Sequence, residues 1–292
     1  MGVTINEILK EAASRIKEMG AQTPLLDAEV LLCEVLQIDR LHLIINREQI
    51  MTDSQLLAFE KYVQKRLAGV PVQYIVGRQE FMGMDFYVEE GVLIPRPDTE
   101  ILVEAVMKWI KENHENSYVI KIADIGTGSG AISVSLAKLL SNAYVYAVDL
   151  SPKALKITKL NCLKHQVEKH MEFLLGDLLT PLREIGLMHT LDVLVSNPPY
   201  IPKKDIGKLQ VEVASYEPTM ALDGGLDGLD FYRRLVDEGW VFLRKGGLLA
   251  FEVGHDQAKA VENLIQSSGR YKNIKIINDL AGIQRVVMAE VE

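Results

Sequence analysis

The sequence predicts an α/β protein, in which a mostly parallel seven-stranded sheet with an antiparallel edge strand follows a small helical bundle and a β-hairpin linker. Two observations predict this order. Residues 1–71 show only helical periodicity, whereas short apolar runs alternate with helical patterns from Tyr118 onward. We therefore divide the chain into a helical domain (1–71), a hairpin linker (72–90) and an α/β domain (91–292).

The first domain contains four sequence patterns that are typical of helix N-termini. A threonine, an aspartate or a Thr-Pro pair stands before each apolar repeat, and Thr52 with Gln55 three residues later forms a capping box. The predicted starts are at Thr4, Thr23-Pro24, Asp39 and Thr52. Val72 to Val88 is then rich in Tyr, Phe, Val and Gly, which predicts the hairpin, with Gly77 and Gly83 at turn positions.

The α/β domain is predicted to open with a helix over 98–114. Apolar runs follow at 118–124, 143–149, 171–175, 192–196 and 248–253. Helical patterns separate them at 131–140, 152–165, 232–243 and 257–268, so these strands should be parallel and covered on both faces. The runs at 274–277 and 285–289 have no helix between them and should pair antiparallel at one edge. Ligands on such sheets bind outside the carboxyl ends of the strands.

Composition narrows the possible partners. The 32 Lys and Arg residues against 40 Asp and Glu residues give a formal charge of −8, which argues against DNA or RNA as the main partner. No stretch reaches the roughly 18 apolar residues of a membrane span, and the first residues lack the pattern of a signal peptide. Cys33 and Cys162 form neither a disulfide framework nor part of a metal set, and we expect small buried side chains in a cytoplasmic protein. His114, His165 and His255 are expected at the surface rather than in catalysis.

A glycine-rich turn follows the first strand of the α/β domain and opens a helix. It comprises Gly126, Thr127, Gly128, Ser129 and Gly130. Glycines here let the backbone turn tightly and approach a ligand that a Cβ would exclude. The spacing is G-x-G-x-G rather than the G-x-G-x-x-G of dinucleotide-binding proteins, which weakens an NAD interpretation.

Acidic residues end the next two strands. Asp149 stands 149 − 128 = 21 residues after the central glycine, where a carboxylate can accept hydrogen bonds from both ribose hydroxyls of an adenosine. The alternative role, capping the following helix, suits Ser151 better. Asp177 could accept from an adenine amino group, with Leu178 packed against the ring. The glycine turn and the two acids together resemble the nucleoside-binding face of Rossmann-like methyltransferases.

The fourth strand ends in Asn197-Pro198-Pro199-Tyr200. Asn197 offers an uncharged acceptor for one N–H of an NH2 group, and the carbonyl of Pro198 can accept the second. The Pro-Pro pair stiffens the loop, and Tyr200 supplies a flat face on which a planar amide or base can stack. With both hydrogens held, the nitrogen lone pair would point at a methyl donor, so positioning is the main catalytic effect available.

This loop is similar to that of methyltransferases that act on adenine, guanine or glutamine NH2 groups. Three further segments narrow the resemblance: the N-terminal helices with the hairpin, residues 93–100 (LIPRPDTE), and Glu217-Pro218 with residues 221–229 (ALDGGLDGL). With these, essentially the whole chain resembles the peptide chain release factor glutamine N5-methyltransferases.

The resemblance implies a Rossmann-like class I methyltransferase domain that transfers methyl from S-adenosyl-L-methionine to the glutamine of a Gly-Gly-Gln motif in release factors. It implies a cofactor site made of Gly126, Thr127, Gly128, Ser129, Gly130, Asp149, Asp177, Leu178 and Asn197. It implies that the glutamine amide is held by Asn197, Pro198, Pro199 and Tyr200, with no metal. Leu178 stands where some relatives carry an aromatic residue. The helical domain would dock the release factor, and the enzyme is expected to be a monomer.

Two alternatives stay open at this point. The loop permits a nucleic-acid amino methyltransferase that acts on adenine N6 or guanine N2. The negative net charge and the lack of an evident target-recognition module argue against this alternative. A non-catalytic binding protein would have no need for two aimed acceptors. The segment from Pro95 to Glu100 would line the methyl-transfer site, although Arg96 and Glu100 could equally form a structural ion pair.

Overall fold

The computed structural model describes residues 2–114 and 118–292. Met1, the first residue of the predicted helical domain, lies outside the described residues. The chain divides into two compact units. The first takes in the chain as far as Arg78 together with the segment Gln210–Tyr216, and the second comprises Gln79–Leu209 and Glu217–Glu292.

The first unit is helical, as its periodicity predicts. Its helices are α1 (Ile5–Glu18), α2 (Pro24–Leu36), α3 (Arg40–Ile45), α4 (Asp53–Leu67) and α5 (Val72–Val76), with α10 (Val211–Tyr216) contributed from later in the chain. Thr4 and Thr52 each form a capping box, and the Asp39 carboxylate accepts from the backbone N–H of His42. All four predicted helix starts are therefore confirmed.

The buried guanidinium group of Arg66 joins α10 to the other helices of this unit. The side chain of Arg66 is 3% exposed and donates to Asp27 at 2.8 Å and to Glu212 at 2.6 Å. The hydroxyl of Tyr216 donates to the carbonyl of Ala68 at 2.7 Å. Nothing in the periodicity of residues 211–216 indicates this placement, because six residues are too few to show a helical pattern.

The hairpin is shorter than expected. Residues 72–76 form the one-turn helix α5 rather than a strand, because Pro71 starts a turn and Gly77, at φ +74°, ends it in the left-handed region. The hairpin itself is β1 (Arg78–Phe81) and β2 (Met84–Tyr87). Phe81 and Phe86 are 1% and 0% exposed and belong to the core of the second unit. The hairpin is thus part of that core and not only a linker.

The second unit alternates strands and helices. Its remaining strands are β3 (Ile120–Ile125), β4 (Ala143–Asp149), β5 (Met171–Leu175), β6 (Leu191–Ser196), β7 (Leu243–Glu252), β8 (Tyr271–Asn278) and β9 (Gln284–Val291). Its helices are α6 (Pro97–Asn113), α7 (Ala131–Leu139), α8 (Pro152–His165), α9 (Thr180–Glu184), α11 (Asp230–Gly239) and α12 (Ala258–Ser268). Sequence periodicity did not indicate the short α9.

Seven strands of the described residues form one sheet in the order β5-β4-β3-β6-β7-β9-β8. The first five are mutually parallel, whereas β9 runs antiparallel to both β7 and β8. One apolar cluster contains α6, α7 and the hairpin, and a second contains α11 and α12, so helices cover both faces. This is a Rossmann-like class I methyltransferase fold. No helix in the described ranges is long and apolar enough to cross a membrane.

Candidate active site

A cavity of about 320 Å³ lies where the strand order reverses, beside the carboxyl ends of β3, β4 and β6. The predicted site residues that line it are Gly126, Thr127, Gly128, Ser129, Asp149, Asp177, Leu178, Asn197, Pro198 and Pro199. Gly130 and Tyr200 are not among the lining residues. The structure therefore gathers residues from four separate loops around one cavity.

The three glycines of the loop after β3 serve different purposes. Gly126 and Gly128 have φ of +75° and +59°, and a Cβ on Gly126 would meet nothing within 4 Å. They shape the backbone that faces the cavity. A Cβ on Gly130 would stand 2.8 Å from Cγ2 of Thr158, so Gly130 permits α7 and α8 to pack closely.

A buried aspartate organises the same loop from beneath. Asp124, the fifth residue of β3, accepts from the hydroxyl of Thr127 at 2.8 Å and from the backbone N–H of Ser133 at 3.1 Å. Burial raises the pKa of Asp124, and these hydrogen bonds lower it by less, so that its pKa is about 7. Its Oδ1 has no hydrogen-bond partner within the described residues. Asp124 is not among the site residues predicted from the sequence.

Asp149 ties the second loop to the first. Its carboxylate accepts from the backbone N–H of Gly128 at 2.9 Å and from that of Ser151 at 2.8 Å. Burial raises the pKa of Asp149, partly offset by these donors. Ser151 caps α8 by accepting from the N–H of Ala154, so the capping role belongs to Ser151. Each carboxylate oxygen of Asp149 keeps lone-pair capacity for a further donor.

The third loop carries Asp177 and Leu178. Asp177 is paired with Arg234 of α11, an ion pair that no local pattern in the sequence indicates. Leu178 adopts φ +47°, which is uncommon for a residue with a Cβ and clusters at functional sites. Both residues line the cavity beside Gly176.

The fourth loop begins with Asn197, whose side chain is connected to two residues that sequence reasoning missed. Its Nδ2 donates to the hydroxyl of Thr99 at 3.2 Å, and that hydroxyl donates to Oε2 of Glu252 at 2.5 Å. Thr99 lies in the first turn of α6 and Glu252 ends β7; they are 4% and 2% exposed. Burial raises the pKa of Glu252 to about 7. The LIPRPDTE segment could have pointed to Thr99, whereas nothing local marked Glu252.

Tyr200 does not line the cavity, and its contact with the substrate stays a prediction. Its ring is mostly buried, which raises the pKa of its hydroxyl, and it packs against the apolar cluster of α11 and α12. Its backbone carbonyl accepts from Nε2 of Gln257 at 2.8 Å. Tyr200 therefore anchors the end of the loop.

The ALDGGLDGL segment supports the loop closely. A Cβ on Gly224 would lie 2.8 Å from the carbonyl oxygen of Pro199, and one on Gly228 would lie 2.3 Å from that of Tyr200. Only glycine fits at these two positions. The segment thus fixes the backbone on which Asn197 and Pro198 are carried.

Arg96 and Glu100 do not pair with each other. Arg96 lines the cavity and forms an ion pair with Glu217 at 2.7 Å, which places the Glu217-Pro218 motif beside it. Glu100 instead accepts from the backbone N–H of Met82 at 2.6 Å, at the tip of the hairpin. The suggested ion pair was wrong because Arg96 is the extended N-cap of α6 and pairs with Glu217, whereas Glu100 faces the hairpin.

The expectation of surface histidines fails for His114. Its imidazole is 4% exposed and lies between Asp192 and Arg244, and burial lowers its pKa. His165 is half-buried, with Nε2 3.0 Å from the carbonyl of Asp85, whereas His255 is 76% exposed. None of the three lines the cavity. No group of metal-binding side chains occurs in residues 2–114 and 118–292.

Apolar walls complete the cavity. Sequence reasoning did not single them out, because buried and ligand-facing apolar residues have the same composition. The apolar residues that line the cavity include Val92, Leu93, Ile94, Ile125, Ile132, Leu150, Met220 and Phe231.

Comparison with known proteins agrees with this architecture. Residues 7–77 match the family model of the PrmC N-terminal domain, and residues 98–215 match the methyltransferase small domain. The release factor glutamine methyltransferase of Clostridium acetobutylicum is 42% identical over 98% of each chain. That of Moorella thermoacetica is 44% identical, again over 98% of each chain.

A solved structure shows the fold at greater distance. The hMettl16 catalytic domain, in complex with a MAT2A 3′UTR hairpin, superposes with a TM-score of 0.54 at 16% identity. The match covers 78% of this chain and 81% of that one, and at this identity it speaks for the fold alone. The full-length identities to the two bacterial enzymes show more: the chain belongs to the release factor glutamine methyltransferase family.

Proposed function

We propose that this methyltransferase transfers a methyl group from S-adenosyl-L-methionine to the side-chain amide nitrogen of a glutamine in a peptide chain release factor. The names of its relatives support a release factor as the substrate. The orientation of the Asn197 amide is the structural observation on which the proposal depends. The glutamine is that of the Gly-Gly-Gln motif, as the family resemblance implies.

The cavity suits the cofactor. Asp149 presents a carboxylate to ribose hydroxyls at the end of β4, and Gly126 and Gly128 leave open backbone where a side chain would intrude. Leu178 would pack on the adenine, and Asp177 would accept from its amino group while remaining near Arg234. When bound, the cofactor supplies a methyl group on a sulfonium.

The acceptor side suits an NH2 group. Because Nδ2 of Asn197 donates to Thr99, the amide NH2 is engaged within the protein and the carbonyl oxygen Oδ1 is left to accept. The carbonyl oxygen of Pro198 accepts no hydrogen bond from the described residues. Two uncharged acceptors on a stiff loop fit two N–H groups on one nitrogen. Neither acceptor can take up a full proton at neutral pH, so the substrate nitrogen keeps both hydrogens until it is methylated.

These residues act by orientation. The lone pair of an amide nitrogen is delocalised into its carbonyl, so it is a poor nucleophile. Accepting from both N–H bonds places electron density on nitrogen and fixes the direction of attack, and well-oriented reactants gain roughly 7–11 kcal/mol from this effect. The apolar walls exclude water from the reacting nitrogen.

The test is a methylation assay with labelled cofactor and four acceptors: intact release factor, the same factor with the motif glutamine replaced by glutamate, duplex DNA and ribosomal RNA. We expect label on the intact factor alone, since glutamate has no nitrogen to methylate. Label on nucleic acid but not on the factor would establish the rival activity. Equal label on both factor variants would place the methyl group elsewhere.

A further inference from the structure

We propose that Thr99 and Glu252 are positioning residues that set the orientation of the Asn197 amide, so that its carbonyl oxygen and not its NH2 group meets the substrate nitrogen. This inference rests on the function proposed above and concerns the same site.

The proposal depends on a chain of two hydrogen bonds that runs from Asn197 through Thr99, which also lines the cavity, to the buried Glu252. Nδ2 of Asn197 donates to Oγ1 of Thr99 at 3.2 Å, and Oγ1 donates to Oε2 of Glu252 at 2.5 Å. A hydroxyl has one hydrogen, so the Thr99 hydroxyl can accept from Asn197 only while its own hydrogen is given to Glu252. The carboxylate of Glu252 therefore sets the direction of the whole chain.

The direction matters because a carboxamide has two ends of nearly equal shape. If Asn197 were reversed, its NH2 group would face the NH2 group of the substrate, and two donors would meet without an acceptor. A buried donor left without a partner is costly. Thr99 prevents this reversal only if it accepts, and it accepts only if Glu252 takes its hydrogen.

The surroundings of Glu252 determine its charge. Burial and, less strongly, nearby Asp98 raise its pKa, whereas the hydrogen bonds from Thr99 and Asn197 and the charge of Arg285 lower it, and the net pKa is about 7. The phenol groups of Tyr200 and Tyr232 are also close enough to interact with it. The ionised carboxylate can only accept, whereas the protonated acid can donate to Thr99 and reverse the chain. The orientation that favours catalysis is therefore the one present above neutrality.

The first test uses Thr99→Val, which keeps the shape and removes the hydroxyl. We expect its single-turnover rate of methyl transfer to release factor to fall at least tenfold, with cofactor affinity within threefold of the wild type. Thr99→Ser restores a hydroxyl and should recover most of the rate. Thr190→Val is the matched control, because the Thr190 hydroxyl also makes one internal hydrogen bond, to the carbonyl of Leu187, away from the cavity.

The second test follows Glu252 directly. In the wild type, the single-turnover rate should rise with pH through about 7 as Glu252 ionises, and neither a glutamine amide nor a sulfonium titrates there. Asp124, whose pKa is also about 7, is present in both enzymes, so Glu252→Gln should remove only the part of the rise that Glu252 causes. Independently of activity, the side-chain 15N–1H signals of Asn197, assigned by their loss in Asn197→Ala, should shift with pH in the wild type and not in Glu252→Gln.

The outcomes separate the two proposals. A wild-type enzyme that does not label release factor contradicts the proposed function. A wild-type enzyme that does, together with an unchanged rate in Thr99→Val, refutes the positioning role. Side-chain 15N–1H signals of Asn197 that do not shift with pH in the wild type would also refute the positioning role. A Thr99→Val variant with reduced cofactor affinity, not rescued by serine, would show a purely structural contribution.

Discussion

At the scale of single residues, catalysis is expected to depend on one uncharged acceptor. Asn197→Ala removes Oδ1 and leaves one substrate N–H unpaired in a dry site, at a cost of about 1–3 kcal/mol. We expect the single-turnover rate on release factor to fall at least tenfold while cofactor affinity changes less. Asn113→Ala is the control, since the Asn113 amide donates to a backbone carbonyl within α6. A wild-type rate in Asn197→Ala would contradict the acceptor role.

The cofactor site has an equally specific residue. Asp149→Ala should weaken S-adenosyl-L-methionine binding by roughly ten- to a hundredfold, because the ribose hydroxyls lose a charged acceptor worth about 1.5–3 kcal/mol. Calorimetry measures this directly. Asp149→Asn keeps the size and one acceptor oxygen and should give an intermediate affinity. Unchanged affinity in a folded Asp149→Ala variant would remove this residue from the site.

Two buried carboxyl groups make stability depend on pH. Burial raises the pKa of Asp124 and of Glu252 to about 7, from ordinary values of 3.8 and 4.5. The folded state then holds protons that the unfolded state releases, so the stability that they contribute is full below pH 4 or so and is lost as the pH rises through about 7. Urea unfolding without cofactor should show the free energy of unfolding falling from about pH 4 to about pH 8. The decline should be smaller in Glu252→Gln.

At the scale of elements, the acceptor loop owes its shape to a neighbouring segment. Gly228 has φ +80° and no room for a Cβ beside the Tyr200 carbonyl, whereas Gly246 has φ +72° and open space around it. Gly228→Ala should displace the loop and lower both the melting temperature and the methylation rate. Gly246→Ala shares the backbone strain, of order 1 kcal/mol, without the clash. Equal effects of the two substitutions would show that strain alone is responsible.

At the scale of the whole molecule, the two compact units suggest a division of labour. The structure places the boundary at Gln79, because a chain beginning at Gly91 would lose Phe81 and Phe86 from the core of the second unit. If the helical unit only docks the release factor, a chain beginning at Gln79 should bind cofactor and methylate a short Gly-Gly-Gln peptide. It should be much slower on the intact factor. Equal rates of the truncated and full-length enzymes on the intact factor would contradict docking.

Features that depend on neighbours within a few residues were predictable. They are the succession of strands and helices along the chain, the capping boxes at Thr4 and Thr52, and the glycine loop after β3. For the same reason Asp149 and Asn197 could be named, since strand ends meet at one edge of a parallel sheet. The family resemblance added the substrate. It also implied that Tyr200 faces the glutamine, which stays a prediction, since Tyr200 is not among the residues that line the cavity.

Contacts between distant segments were decided by the tertiary structure alone. Thr99 and Glu252 lie 252 − 99 = 153 residues apart, and their hydrogen bond exists only because α6 begins beside the end of β7. The same holds for Arg96 with Glu217, for Asp177 with Arg234, and for Arg66 with Glu212. The sequence by itself determined which local elements form and which loops carry chemistry. Which polar groups become partners, and whose pKa shifts, followed from burial and proximity, because both depend on how the elements pack.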